Sequence, residues 1–381
     1  MSKLCPYCFE NFEIEKTQFR CASHVSQCTH VPDDVLRKLW NYHTPCGRVL
    51  NGQICPECKK ETNKRLCPEC HQELPDSFSK PDHKNYVFAV IGAKGTGKSH
   101  YIATFIDYVQ HHVGLLLEGA NDDTIDRYEK KFKKPVFKEL RLLSANDSGE
   151  ADVEVRKPMI FTLSFDKKNL FGKIDKNRKS VFYISLFDTA GEDLDDQDTM
   201  SFVNKYIYRA DGILLLVDPL QLDKVRDLLM TKNPNIHLPQ QHTETETIVT
   251  RVSNLIRAGR KLPLEQVIPI PFAVALSKID TVFTIIDNQS HVRTRSSSGK
   301  TFNTRDFEAV NAEIQGLLTE WTSQFLIKQV STKFSQYGFF GLSALGKAPS
   351  DDGRISAVLS HRVADPFLWL LHKNKMIEAT K

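Results

Sequence analysis

The chain has 381 residues, 40% of them hydrophobic and 26% charged, with a formal net charge of +4. This is ordinary globular composition and excludes wholesale disorder, collagen-like repeats and coiled coils. The small charge is spread without a like-charged block, so composition gives no push toward nucleic acid.

All nine cysteines lie at or before Cys70. A disulfide-rich secreted chain would not confine them so, and no signal peptide precedes them. A cytoplasmic protein with reduced, metal-ready thiols is expected. Cys55-Pro-Glu-Cys58 and Cys67-Pro-Glu-Cys70 are two C-x₂-C knuckles separated by eight residues. Four thiolates offered by two tight turns suit tetrahedral Zn²⁺, so these four are expected to share one site. Cys5-Pro-Tyr-Cys8 opens a second site, with Cys21 and Cys28 as first choice of partners and His24, His30 and Cys46 as alternatives. His71 reads as a surface residue. Four thiolates leave no open position for water, so both sites read as structural, supplying folding energy that a small module over residues 1–75 lacks. Redox chemistry is disfavoured because neither knuckle opens a helix in a βαβ unit. Within residues 1–80, 11 Lys/Arg face 10 Asp/Glu. A phosphate backbone needs a basic footprint, so the module is read as contacting protein rather than nucleic acid.

Residues 76–85 read as a linker. From residue 86 onward the pattern changes. Tyr86–Ile91 is a short apolar run suited to a buried parallel strand, and Ser99–His112 follows as a helix closed by His111 and His112. Further apolar runs at Met159–Phe165, Val181–Phe187, Gly212–Val217, Phe272–Leu276 and Gly338–Leu342 alternate with polar or helical stretches. The pattern predicts an α/β domain over residues 86–381, a mostly parallel sheet with helices on both faces. Met159–Phe165 and Val181–Phe187 are expected to form an antiparallel pair at one edge. An insertion including Leu115–Asn146 is rich in lysine and reads as a solvated helix face, or else as a partner surface. Asp287–Asn303 reads as a Ser-rich surface loop, and His361–Leu371 as a closing helix packed on the core. The longest apolar runs fall far short of the roughly 18 residues of a membrane span, so no membrane is expected.

Four short motifs follow strands in a fixed order. Gly92-Ala-Lys-Gly95-Thr96-Gly97-Lys98-Ser99 matches G-x-x-x-x-G-K-[ST] between a strand and a helix. Glycines let successive N–H groups curl around phosphate oxygens, and the helix N-terminus adds a favourable dipole. Lys98 is expected to reach the β- and γ-phosphates and Ser99 to ligate Mg²⁺, with Thr96 and His100 joining the nucleotide site. Asp188-Thr-Ala-Gly191-Glu192 follows the run ending at Phe187; its aspartate suits Mg²⁺ and its glycine N–H can sense a γ-phosphate. Ser277-Lys278-Ile279-Asp280 offers a carboxylate to the N1–H and N2–H₂ edge of guanine, an edge adenine lacks, while Lys278 can lay its stem over the base. Ser343-Ala344-Leu345 can present a backbone N–H to the guanine carbonyl.

In that order the motifs GAKGTGKS, DTAGE, SKID and SAL resemble the Ras- and translation-factor-related class of P-loop GTPases. With CPYC, the CPEC pair and the segment Arg362–Leu371, the chain is similar to the zinc-ribbon-bearing bacterial double-GTPase group, which implies a role in conflict or antiphage defence systems. The resemblance implies phosphate binding for Gly92, Gly95, Gly97 and Lys98, and Mg²⁺ coordination by Ser99 and Asp188. It further implies γ-phosphate sensing by Gly191 and guanine binding by Lys278 and Asp280. Ser277 departs from the usual Asn, Glu192 stands where a water-orienting Gln is usual, and the switch-one threonine is either Thr124 or Thr162. The expectation is a slow Mg²⁺-dependent GTPase, with Lys98, Gly191 and Glu192 at the reacting phosphate. It would bind GTP/GDP and Zn²⁺, regulate partner proteins, and self-associate. The rival reading is a non-hydrolysing nucleotide-bound scaffold whose zinc module does the recognition.

Overall fold

A computed structural model describes residues 1–80, 83–143, 157–168, 174–186, 200–241, 245–322, 324–350 and 352–380. Seven strands form one sheet: β1 (Lys84–Gly92), β2 (Leu116–Gly119), β3 (Met159–Lys168), β4 (Ile174–Leu186), β5 (Gly212–Val217), β6 (Phe272–Leu276) and β7 (Tyr337–Gly341). Their order across the sheet is β7-β6-β5-β1-β4-β3-β2. The five from β7 to β4 run parallel, whereas β3 is antiparallel to both β4 and β2. The expected antiparallel pair therefore exists, but β2 covers it and takes the edge. Only four residues long, β2 is too short to announce itself in a polar insertion.

The central strands are apolar on both sides because both sides are covered. In β1, Val87, Ala89 and Ile91 enter one core and Phe88 and Val90 the other. The first core is closed by α3 (Met200–Arg209), α4 (Asp223–Lys232), α5 (Thr245–Arg260), α6 (Thr304–Thr322) and α7 (Phe325–Lys333). The opposite core is closed by α1 (Lys98–Tyr108), which continues in wider turns to Val113, and by α8 (Asp365–Lys373). The α8 residues Phe367, Leu368, Trp369 and Leu370 are all buried, and Phe367 lies 4.5 Å from the Phe105 ring of α1. Between β2 and β3 sits α2 (Asp122–Arg127), followed by helical turns over Tyr128–Lys138. There Tyr128, Phe132 and Val136 are buried, while Lys130 pairs with Asp126 (2.6 Å) and Lys133 with Glu129 (2.9 Å). That charge is a solvated helix face.

Two stretches are tied down more firmly than their composition suggests. In the Ser-rich segment, Thr294 is held by Arg362, whose side chain is 1% exposed and also pairs with Asp306 (2.9 Å) and Asp365 (2.7 Å). Of residues 76–85, Asp76–Ser79 is a helical turn that buries Phe78, and Lys84 already opens β1.

The cysteine-bearing region rests on the β3/β4 side of the sheet. Phe9, fully buried just after the first knuckle, enters the main core with its ring 5.6 Å from Tyr206 of α3. Ser185 of β4 donates to the Pro6 carbonyl (3.2 Å), and Asn121 donates to the Tyr7 hydroxyl (2.6 Å). Among the described residues no helix is long and apolar enough to cross a membrane.

Candidate metal centres and nucleotide cavity

Two four-cysteine clusters are present, and they overturn the expected grouping. Cys5 and Cys8 gather with Cys67 and Cys70, and Cys21 and Cys28 with Cys55 and Cys58, each set's sulfurs within 4.8 Å of one another. The reason lies in a three-stranded sheet in which Gln18–Arg20 runs antiparallel to Arg65–Leu66. Cys21 and Cys67 each follow the end of one of these strands, so they leave at opposite ends. Neighbouring knuckles are thereby sent to different sites.

Sulfur–sulfur distances are 3.8 Å (Cys5–Cys70), 3.9 Å (Cys8–Cys67) and 3.7 Å for both Cys21–Cys58 and Cys28–Cys55. A disulfide needs about 2 Å. Ligands about 2.3 Å from a tetrahedral zinc stand about 3.8 Å apart, so the donor sets fit Zn²⁺. Burial first, then the neighbouring sulfurs, push Cys5 up, and burial chiefly pushes Cys28 up to about 12. The Ser23 hydroxyl leads in bringing Cys58 down to about 6. Four such sulfurs ionise together only around a cation.

The alternatives to Cys21 and Cys28 are engaged elsewhere. His24 bonds to Ser26 (2.9 Å), His30 bonds to the Ser23 carbonyl (2.9 Å), and Cys46 accepts from Arg20 (2.8 Å). His71 is not the surface residue expected, since its side chain is 15% exposed and pairs with Asp33 (2.9 Å). Asp33 also pairs with the buried Arg20 (2.9 Å), which in turn donates to the His71 carbonyl (3.2 Å). Arg20 precedes Cys21 and His71 follows Cys70, so this network joins the two clusters.

At the carboxyl ends of β1, β6 and β7 lies a cavity of about 600 Å³. Gly95, Thr96, Gly97, Lys98, Ser99 and His100 line it together with Lys278, Asp280, Ser343, Ala344 and Leu345. Three of the four motifs, spread along the chain between Gly92 and Leu345, thus converge. Gly92 is not among the lining residues and packs against the Leu216 carbonyl, where a Cβ would approach to 2.7 Å. Gly95 and Gly97 take left-handed backbone conformations (φ 76° and 88°), and an added Cβ at either would meet no atom within 4 Å. They leave backbone open toward the cavity, as a phosphate cradle requires. The Lys98 ammonium lies on the carbonyls of Gly92 (2.9 Å) and Ala93 (3.0 Å), and Thr96 donates to Ala93 (2.9 Å).

Lys278 is fixed by an ion pair with the buried Asp218 (2.6 Å). Ser277 points away, donating to the Val217 carbonyl (3.2 Å). Among the described residues no hydrogen bond or ion pair takes up the Asp280 carboxylate, and none takes up the N–H groups of Ala344 and Leu345. Asp188, Gly191 and Glu192 fall outside the described residues. Neither threonine proposed for switch one lines the cavity: Thr124 is fully buried and accepts from the Ile160 N–H (3.0 Å), while Thr162 lies on β3.

Three other walls carry no motif and were not foreseen. His237, Leu238 and Pro239 form a strap held by Arg226, which donates to the carbonyls of Leu220 (3.0 Å) and Pro239 (2.8 Å). Leu142 and Leu143 close another side, and Lys347–Pro349 a third. Leu143 donates its N–H to His100 Nε2 (3.1 Å). Burial first, and then the charge of Lys278, push His100 down to about 4, so its imidazole is a neutral acceptor.

No family model matches the chain. It is 23% identical over an alignment of 308 residues, covering 74% of this chain and 73% of the other, to a candidate ESX-1 scaffolding and assembly protein, SaeC, of Mycolicibacterium smegmatis. Among solved structures it is similar to the signal recognition particle receptor SRb-GTP/SRX complex from Chaetomium thermophilum. That match has 13% identity and a TM-score of 0.28, covering 70% of this chain and 93% of that one.

Proposed function

We propose that the chain is a guanine-nucleotide-binding switch of the P-loop GTPase class, hydrolysing GTP slowly and altering contacts with partner proteins. The observation that carries this reading is the convergence of Gly95–Ser99, Lys278–Asp280 and Ser343–Leu345 on one cavity, with an unengaged carboxylate among them. Its volume of about 600 Å³ lies within the usual range for a small-molecule site. In the proposed complex the open backbone at Gly95 and Gly97 donates to phosphate oxygens, and Lys98 turns from its carbonyls toward the β- and γ-phosphates. Asp280 accepts from the guanine edge, and the Lys278 stem, fixed through Asp218, lies along the base. Mg²⁺ would be held by Ser99 with Asp188 and would neutralise charge on the phosphates. Catalysis is then positioning and charge neutralisation, with Gly191 and Glu192 near the attacking water.

The two cysteine clusters would hold Zn²⁺ as structural ions. The name of the M. smegmatis relative favours a second reading, a nucleotide-bound scaffold that assembles partner proteins. That name offers no support for a defence role.

Phosphate release from GTP and from ATP, over a range of protein concentrations with Lys98→Ala as control, separates the two. GTP-selective turnover lost in Lys98→Ala supports the enzyme, and a rate per molecule that rises with concentration supports self-activation. GTP binding without turnover supports the scaffold. Equal turnover of ATP sinks the assignment of Asp280.

A further inference from the structure

A second cleft, of about 490 Å³, lies where the cysteine-bearing region meets α3 and α5, away from the nucleotide cavity. Leu4 and Asn11, cross-strand partners in the N-terminal hairpin, form one wall, and Tyr208, Arg209, Arg260 and Lys261 form the other. Three cations thus meet where two helices end. None of them is ion-paired among the described residues.

Part of this charge has a structural use. Arg260 donates to the carbonyls of Tyr208 (2.6 Å) and Ala210 (2.8 Å), satisfying the end of α3, and cations suit helix C-termini. Arg209 has no such use. Its guanidinium lies over the Tyr208 ring (5.7 Å to the centroid), and its Nε is buried without an acceptor. Among the described residues no acceptor takes up any part of this guanidinium, so its fork, which lines the cleft, is left for an outside oxygen. Gly259 enforces the crowding, because the Tyr208 ring occupies the place a Cβ would take (2.2 Å). Burial, and beyond it the nearby charge of Arg209, lower Arg260, while Asp211 acts the other way.

We propose that this cleft binds carboxylate side chains of an acidic peptide segment on a partner protein, with Arg209 as the bidentate contact and Lys261 as the second cation. A guanidinium fork matches a carboxylate in two parallel hydrogen bonds. Leu4 and the Tyr208 ring offer apolar flanks, and the Asn11 amide a neutral donor or acceptor. Nucleic acid fits poorly. Its backbone needs an extended basic track, whereas here three cations gather in one compact cleft. The proposal stands apart from the nucleotide reading and survives its failure.

The test is fluorescence anisotropy of a labelled short peptide of alternating glutamate and serine, titrated with the full chain. Arg209→Gln should weaken binding about tenfold or more, and Arg209→Lys by an intermediate factor, because it keeps charge but loses the fork. Lys261→Gln should weaken it less, and supplies an independent variant if Arg209→Gln fails to fold. Equal affinity in the wild type, Arg209→Gln and Lys261→Gln overturns the proposal. So does an oligonucleotide of equal charge that binds more tightly than the peptide, or displacement of the peptide by inorganic phosphate at matched ionic strength.

Discussion

The two cysteine clusters share one chemistry and differ in what surrounds them. Inner-cluster residues Cys5, Cys67 and Cys70 are fully buried and pack with Ile160 of β3 and Tyr183 of β4. The outer cluster packs against Phe19 and Leu50 within its own module, and nearby Val25 (60%) and Ile54 (65%) are exposed. An inner ion would therefore lie against the wall of a protein core, whereas an outer one would hold a self-contained pair of turns. Ligand type alone does not reveal which of these roles a site plays.

Serine in place of Cys67 should have the largest effect. A structural zinc site is worth on the order of 10 kcal/mol, and here its loss should also lower the unfolding transition of the α/β domain. Cys58→Ser should leave that transition in place by scanning calorimetry. Equal effects would erase the distinction. Phe9→Ala should cost about 3–4 kcal/mol, read from the urea midpoint at unchanged slope. A loss below about 1 kcal/mol would mean that the first knuckle merely leans on the core.

The cavity sharpens the contrast from the other side. Asp280→Asn should weaken GTP binding about 100-fold, because it removes the charge and turns one acceptor into a donor facing a guanine donor, without moving zinc content or the unfolding midpoint. Xanthine has a carbonyl where guanine has an amine, so the same variant should bind xanthosine triphosphate better than the wild type does. Unchanged GTP affinity would refute the guanine contact. Tyr7→Phe, which removes the acceptor of the Asn121 bond at the inner knuckle, should cost about 1 kcal/mol. At the outer knuckle Ile54→Ser should stay within about 0.5 kcal/mol and keep both sites filled by atomic absorption.

The strands that carry the cavity were legible because each is a continuous apolar run buried on two faces, and each is followed by one of the short motifs that line the cavity. Six of the eight clustered cysteines were legible for a similar reason, since C-x₂-C is a local signature, whereas Cys21 and Cys28 carry no such signature and had His24, His30 and Cys46 as rivals. Their pairing was not, because strand direction between Gln18–Arg20 and Arg65–Leu66 decides it, and direction leaves no trace in spacing. The strap at His237–Pro239 was hidden because Arg226 grips it through backbone carbonyls, which any sequence supplies. Arg362 was read only as part of a resemblance. Its grip on Thr294 turns a Ser-rich stretch, which composition reads as loose, into a fixed neighbour of α8.

The interleaving of the clusters has a consequence for how the chain is made. The outer set spans 37 positions from Cys21 to Cys58, and it lies wholly inside the inner set, which spans 65 positions from Cys5 to Cys70. During synthesis Cys5 and Cys8 emerge first yet have no partners until Cys67 and Cys70 appear, so the inner loop closes last. A loop already shortened by the outer closure costs less entropy to complete. Capture of metal would then proceed from inside outward along the chain. The final closure comes just before Lys84 begins the central strand, so the surface against which β3 and β4 pack is ready when they arrive.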